Sequence, residues 1–337
     1  MSTPLKAALI GSGMIAGTHI TAMRNNGIDV IGIYSLDTAS ADRLAEENHI
    51  RKYESIEELL SDEADLAAVC TPSGTHADLA VTVMEHGKHV VVEKPIALTA
   101  ADCRRIIQAE QKTGMLCTPI SQLRFSDIYC AVKSAVDNEA FGRILLASLS
   151  MKYYRSPEYF AGSWHGTKKM DGGGALMNQG IHGIDLLCGL LGVPKQISGH
   201  VATLYHDIEV EDTAAASLVY SSGALGVIDA STAISHAKPR RLEICGTRAS
   251  VTIEEDVLLS AEGVDLTGGV RTVSGSWEKP SAFGSELHTF QYRNIGAAIR
   301  GEEPLCYTAI DAVNTVGVIL AIYESSETGR TIYPNAF

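Results

Sequence analysis

Three short stretches of this 337-residue chain hold residues whose types and spacing could do chemistry. The first is Glu93-Lys94-Pro95, directly after the apolar run Val90-Val91-Val92. A run without polar alternation reads as a strand covered on both faces. In an open parallel sheet, ligands bind at the carboxyl ends of the strands, so Lys94 is expected to point at a ligand. The second is Gly11-Ser12-Gly13-Met14-Ile15-Ala16, a G-x-G-x-x-A turn. Gly11 makes the tight turn, Gly13 lets the backbone approach a pyrophosphate, and Ala16 allows close helix–strand packing. The third runs from Trp164 to Leu187 and carries Lys168, glycines at 172–174, and then Asn178, His182 and Asp185. On a regular helix those last three share one face, while Leu176, Ile181, Ile184 and Leu187 cover another. Amide, imidazole and carboxylate on one face are costly to bury without a purpose. Imidazole titrates near neutrality, which suits proton transfer. Asn is a poor metal ligand, so no metal set is expected there.

These residues need a scaffold, and the chain supplies its signals in order. Leu5 to Ile10 reads as a buried strand, followed at once by the glycine turn and a helix from Met14 to Asn25. Strand before and helix after make the glycine pattern a dinucleotide site, with the helix N-terminus facing the phosphates. Asp29 to Tyr34 is the second strand. An acid at its end would bind both ribose hydroxyls and favour NAD; here the end reads Ser35-Leu36-Asp37, and no arginine sits beside Ser35 to hold a 2′-phosphate. Asp37 either reaches the ribose or starts the next helix, Ala39 to Asn48. Ser55 and Glu58 form a capping box for a helix at 56–61. Leu66 to Cys70 is a strand whose loop, Thr71 to Thr75, lies on the ligand side, and Thr75 with Asp78 reads as a capping box that places His76 in the first helical turn. Thr99 and Asp102 cap a helix to about Thr113, and Met115 to Pro119 is a further strand. Strands alternating with helices imply a parallel sheet and a first domain over residues 1–120.

From Ser121 the character changes. A helix from about Asp127 to Asn138 precedes strand-like stretches at 144–154, 196–205, 212–220, 225–233, 241–245 and 250–254. Several alternate apolar and polar residues, as in a sheet with one open face. Helices follow at 286–300 and 309–328, the second capped by Thr308 and Asp311. The fold class is therefore α/β: an N-terminal doubly wound parallel sheet, and over 121–337 an α/β domain built on a large, mostly antiparallel open sheet.

The totals narrow the function. Apolar content of 45% and charged content of 20% fit a globular chain. A net charge of −13 argues against nucleic acid as a partner, because phosphate binding needs a cationic surface. No apolar run reaches about 18 residues, so no membrane span is expected. Seven scattered cysteines without paired spacing fit reduced thiols. The N-terminal segment lacks the pattern of a secretion signal, and the expected location is cytoplasmic.

Four motifs together resemble one known family. They are GSGMIAG at 11–17, TPSGTH at 71–76, GKHVVVEKP at 87–95 and GGGALMNQGIHGIDLL at 172–187. Their order and spacing are similar to the glucose–fructose oxidoreductase / inositol dehydrogenase / MocA family, over nearly the whole chain. The resemblance implies a Rossmann domain, a nicotinamide cofactor, and a sugar, cyclitol or derivative as substrate. It implies that Lys94 is the catalytic lysine and His182 the active-site histidine, and that the open sheet joins chains into a homodimer or homotetramer. Candidate cofactor-binding residues are Gly11, Ser12, Gly13, Met14, Ile15, Ser35, Asp37, Thr71, Pro72, Ser73, His76, Glu93, Lys94 and Gln122. Candidate substrate-binding residues are Asn178, Asp185, Arg124, Tyr153, Trp164 and Lys168. The cofactor is NAD or NADP, with NAD slightly favoured. Many inositol dehydrogenase-like members carry Asp four residues before the histidine, where this chain has Asn178. A neutral amide cannot hold an imidazolium as Asp would; Asn there is more like members acting on sugars with large substituents, such as nucleotide-linked sugars. The expected reaction is hydride transfer between nicotinamide and a secondary alcohol or ketone carbon. Two rivals are a glycoside hydrolase that recycles bound NAD and a cofactor-binding regulator without catalysis.

Overall fold

The computed structural model describes residues 4–266 and 285–334. They fall into two compact units, one of residues up to 122 with a return segment ending at 312, the other of 123 onward with 313–334.

In the first unit, β1 (Lys6–Ile10), α1 (Ala16–Asn25), β2 (Asp29–Tyr34), α2 (Thr38–Asn48), β3 (Arg51–Lys52), α3 (Ile56–Ser61), β4 (Leu66–Val69), α4 (His76–Glu85), β5 (His89–Val92), α5 (Ala100–Thr113) and β6 (Cys117–Pro119) follow one another. The six strands are parallel, in the order β3-β2-β1-β4-β5-β6. Strand order reverses between β1 and β4, and that switch point sets where a ligand meets the sheet. Ala7 to Ile10, Leu66 to Val69 and Val90 to Val92 are all buried, which explains their unbroken apolar run. The caps expected at Ser55, Thr99 and Thr308 form: each hydroxyl accepts a hydrogen bond from the backbone N–H three residues on.

The second unit contains α6 (Asp127–Asp137), β7 (Ile144–Lys152), α7 (Pro157–Phe160), α8 (Ile181–Leu191) and β8 to β13, namely Gln196–Ala202, Thr213–Val219, Leu225–Ser231, Arg241–Gly246, Ser250–Glu254 and Val257–Glu262. Its sheet runs β13-β12-β11-β7-β10-β9-β8, antiparallel except for the β7–β10 pair. Burial alternates along β9 and β10, so one face is packed and the other open. Then come α9 (Glu286–Ile299) and α10 (Ala309–Thr328).

The structure departs from the sequence expectations in several places. The edge strands β3 and β13 were not expected; β3 has only two residues, too few to carry a periodic signal. Helix α1 starts at Ala16 rather than Met14, because the glycine turn takes up residues 11–15. The Thr75–Asp78 capping box does not form. Thr75 Oγ1 instead donates to the Pro72 carbonyl at 2.8 Å, closing a short 3-10 turn ahead of α4. Helix α9 belongs to the first unit, although the sequence boundary at 120 placed it in the second. Its Tyr292 and Ile295 join a core that includes Ile20, Met23 and Ile28 around α1.

Candidate active site

The glycine turn is built as its sequence demands. Gly11 has φ +103°, and a Cβ there would lie 2.7 Å from the Cys70 carbonyl carbon and oxygen, so no side chain fits. Gly13 and Met14 are exposed at the tip. Ile15 caps α1 without a side-chain acceptor, so no side chain competes for the anion-binding N-terminus of that helix. At the end of β2, Ser12 Oγ donates to Ser35 Oγ at 2.9 Å, and Asp37 N donates to the same oxygen at 3.2 Å. The Asp37 carboxylate is turned into α2, where it accepts from Ser40 N. Asp37 thus starts the helix, one of its two expected uses. A glycine turn with an open tip, an uncapped helix end and the Ser12–Ser35 hydroxyl pair between the ends of β1 and β2 fit a dinucleotide.

The loops after β4 and β5 are tied together by His76. Its Nδ1 lies 2.7 Å from the Pro95 carbonyl and its Nε2 2.8 Å from the Thr71 carbonyl. Burial lowers its pKa, so the ring is neutral and donates to one carbonyl at a time. His76 is 1% exposed and holds its two loops from within, while Thr71 and Pro72 remain partly exposed and Ser73 is buried. Lys94, partly exposed, follows the carboxyl end of β5. Gln122 sits in the 3-10 turn at Gln122–Phe125 with its Oε1 buried and without a hydrogen-bond partner among the described residues.

Behind this edge lies a buried polar cluster that the sequence reading missed. His19 Nε2 lies 3.0 Å from Glu93 Oε1, and its Nδ1 lies 2.6 Å from Tyr292 Oη. Glu93 Oε2 accepts from the Lys94 backbone N–H at 3.1 Å. His288 packs edge-on against His19 with ring centroids 5.7 Å apart. Burial favours the neutral carboxyl of Glu93, yet the His19 hydrogen bond and charge, with His288 and Lys94, bring its pKa down to about 2. Burial opposes charge on His19 too, but Cys70, Tyr292 and Glu93 raise its pKa well above the ordinary imidazole value. Burial pushes His288 down to about 4. Ligand atoms of His19, Glu93 and His288 lie within 4.8 Å of one another. Tyr292 and Glu93 engage both His19 nitrogens, which ties the set together by hydrogen bonds.

In the second unit, Gly173 and Gly174 bring the backbone close to other parts of the same unit. A Cβ on Gly173 would fall 2.0 Å from Tyr323 Oη, and one on Gly174 2.1 Å from the Glu211 carbonyl oxygen. The Glu211 carboxylate accepts from Gly174 N at 3.0 Å, Leu176 N at 2.8 Å and Tyr323 Oη at 3.0 Å. Residues 175–180 then form a π-helix, with Gln179 N bonded to the Gly174 carbonyl, before α8 begins. Asn178 therefore sits in the π-helix, while His182 and Asp185 sit in the first turns of α8. Asn178 Nδ2 donates to Asp171 Oδ1 at 2.6 Å and lies 3.3 Å from His165 Nδ1. Asp185 is engaged elsewhere: Arg124 Nε and Nη2 each lie 2.8 Å from its carboxylate, and Thr315 Oγ1 donates to it at 2.9 Å. His182 is the second residue of α8 and partly exposed.

Around Asn178 the side chains gather. His165 stacks on Tyr159 with centroids 4.5 Å apart and meets Trp164 at 3.9 Å. Arg155 lies over Tyr159 and donates to Gln179 Oε1. Asp171, His165, Tyr159 and Gln179 were not among the expected site residues; Asp171 alone carried a hint, as an acid abutting the glycine triplet. Lys168 is exposed. Tyr153 is partly buried near Arg240, and burial pushes its hydroxyl up to about 12.

Comparison with known proteins agrees with this construction. Residues 5–120 match the oxidoreductase family with an NAD-binding Rossmann fold, and residues 129–252 match the GFO/IDH/MocA C-terminal domain. The chain is 31% identical over 297 residues to scyllo-inositol 2-dehydrogenase (NADP(+)) IolW of Bacillus subtilis, covering 82% of this chain and 81% of that protein. It is 26% identical over 259 residues to a myo-inositol 2-dehydrogenase of Thermotoga maritima, covering 73% and 74%. The crystal structure of the WlbA dehydrogenase from Bordetella pertussis, in complex with NADH and UDP-GlcNAcA, superposes with a TM-score of 0.90 at 25% identity, over all of this chain and 99% of that one. With both of its parts matched, and a relative above 30% identity over most of its length, the chain belongs to the GFO/IDH/MocA family of NAD(P)-dependent oxidoreductases.

Proposed function

We propose that this oxidoreductase moves a hydride between NAD(P) and a secondary alcohol or ketone carbon of a cyclitol, sugar or sugar derivative. The observation that carries the reading is the edge of the first unit, where the open Gly11–Gly13 turn and uncapped α1 share a sheet with Lys94 after β5. Names of the relatives support the substrate class, since two are inositol 2-dehydrogenases and a third is a dehydrogenase in complex with UDP-GlcNAcA. Nicotinamide, when bound, accepts or returns the hydride at its ring C4. In oxidation, His182 takes the hydroxyl proton, as an imidazole near neutral pH can. Lys94 donates to the same oxygen and stabilises its developing negative charge. Asn178 contacts substrate in this reading, and its cluster with His165 and Asp171 supports that role. Arg124 and Asp185 act through each other, as a buried pair that fixes α8, rather than by direct contact with substrate.

The same reading includes a homo-oligomer in the cytoplasm. Its support is the open sheet face, where Leu146, Leu225 and Val227 are exposed on the paired strands β7 and β10. Among the described residues, no helix is long and apolar enough to cross a membrane. The test is absorbance at 340 nm, with product analysis, using NAD+ and NADP+ in parallel against inositols, aldoses, sugar acids, glycosides and nucleotide-linked sugars. Reduction with one compound supports the proposal and names the cofactor. Cofactor binding without turnover on any of them would defeat it in favour of a regulator. Glycoside cleavage without net reduction would defeat it in favour of an NAD-recycling hydrolase.

A further inference from the structure

The His19 cluster is unusual for the interior of a parallel-sheet unit. His19 and Tyr292 are fully buried, and Glu93 keeps only 12% of its side-chain surface. Apolar residues would pack the same space at less desolvation cost, so an ionic bridge there calls for a use. Its geometry is directional. One carboxylate oxygen of Glu93 faces His19, while the other accepts the backbone N–H of Lys94. His19 is in turn braced by Tyr292, 273 positions away in sequence. The rigid elements α1 and α9 thus hold, from behind, the acid that flanks the lysine.

We infer that His19 and Tyr292 are positioning residues for Lys94: by bridging Tyr292 Oη and the Glu93 carboxylate, His19 fixes the place and the net charge of the acid beside the ammonium. This rests on the reading of Lys94 as the group at the reacting oxygen. The imidazolium partly cancels the Glu93 charge that Lys94 feels. Neutralising His19 leaves the carboxylate uncompensated and strengthens its hold on the lysine proton; neutralising Glu93 does the reverse. The ionisable groups facing this set are Cys70 from the end of β4, His76 from the start of α4, Lys94 after β5, and His288 and Tyr292 from α9. A single charge change several ångströms away, at an effective dielectric near 20, displaces a titration by about one pH unit.

The experiment is competitive acetylation of the full chain with trace acetic anhydride across pH 6–12, read at Lys94 by mass spectrometry. It measures when the lysine loses its proton and needs neither substrate nor turnover. For His19→Gln the midpoint is expected to rise by about one pH unit. For Tyr292→Phe it rises by less, and for Glu93→Gln it falls. A role confined to packing α9 would change stability and leave the Lys94 midpoint in place. Unmoved midpoints in His19→Gln and Tyr292→Phe overturn the inference. If His19→Gln does not fold, the other two decide: no rise in Tyr292→Phe together with no fall in Glu93→Gln overturns it. Failure of the functional reading looks different, as a Lys94→Ala protein with full turnover.

Discussion

Removing Asp185 tests which of the expected site residues hold the structure rather than touch substrate. The carboxylate is 3% exposed and the Arg124 side chain 10%. Asp185→Ala deletes three close contacts at once, two from the guanidinium at 2.8 Å and one from Thr315 at 2.9 Å. It also strands the Arg124 cation in a site that excludes most water. Breaking a buried ion pair from one side costs about 3–5 kcal/mol. With a urea dependence of about 3 kcal/mol per molar, a 4 kcal/mol loss lowers the unfolding midpoint by roughly 1.3 M. The assay is urea denaturation followed by intrinsic fluorescence, with the same curve for Arg124→Leu/Asp185→Leu. The double variant, which leaves no stranded charge, is expected to recover most of the loss. A midpoint for Asp185→Ala within error of the wild type, together with a raised KM for substrate, would refute the reasoning and return Asp185 to the substrate.

Four further outcomes follow from the same structure. Gly11→Ala is expected to weaken NADH binding at least tenfold by fluorescence titration, because a Cβ would collide with the Cys70 backbone at a positive φ. Lys94→Ala is expected to lower kcat by about two orders of magnitude or more, measured at 340 nm on whichever compound the wild type turns over. Acid sensitivity has a sign at His288: its folded pKa of about 4 lies below the ordinary value, so the unfolded chain takes up the proton first. Stability is therefore lost as pH falls from about 6.5 to 4, by up to roughly 3 kcal/mol, and His288→Gln should flatten that slope in urea titrations. In the same window the His19 contribution is already complete, since a raised pKa gives stability that disappears only as pH rises through it; the Glu93 contribution is lost below about 4.5 as pH approaches 2. Leu225→Glu on the open face of β10 should shift the mass by light scattering toward a single chain; an unchanged mass would remove that face from the assembly.

Local chemistry made the first unit legible in the sequence. Gly11, the buried runs of β1, β4 and β5, and the hydroxyl caps at Ser55, Thr99 and Thr308 act over a few residues, and each stands where the sequence implied. Composition and spacing likewise carried the α/β class and the dinucleotide turn, and the resemblance of four motifs carried the family. What the sequence could not carry was any partner chosen across distance. The brace on Glu93 joins α1 to α9, the grip on Asp185 joins Arg124 to α10, and Glu211 reaches back to the glycine triplet. Periodicity assumed one helical pitch, but residues 175–180 form a π-helix, and Asn178 and Asp185 bond to different partners. Side-chain burial is a property of the packed units, so tertiary structure alone decided which charges are solvated and which are paired. For the same reason the pKa of Glu93 follows from His19, a residue its own sequence neighbourhood does not contain.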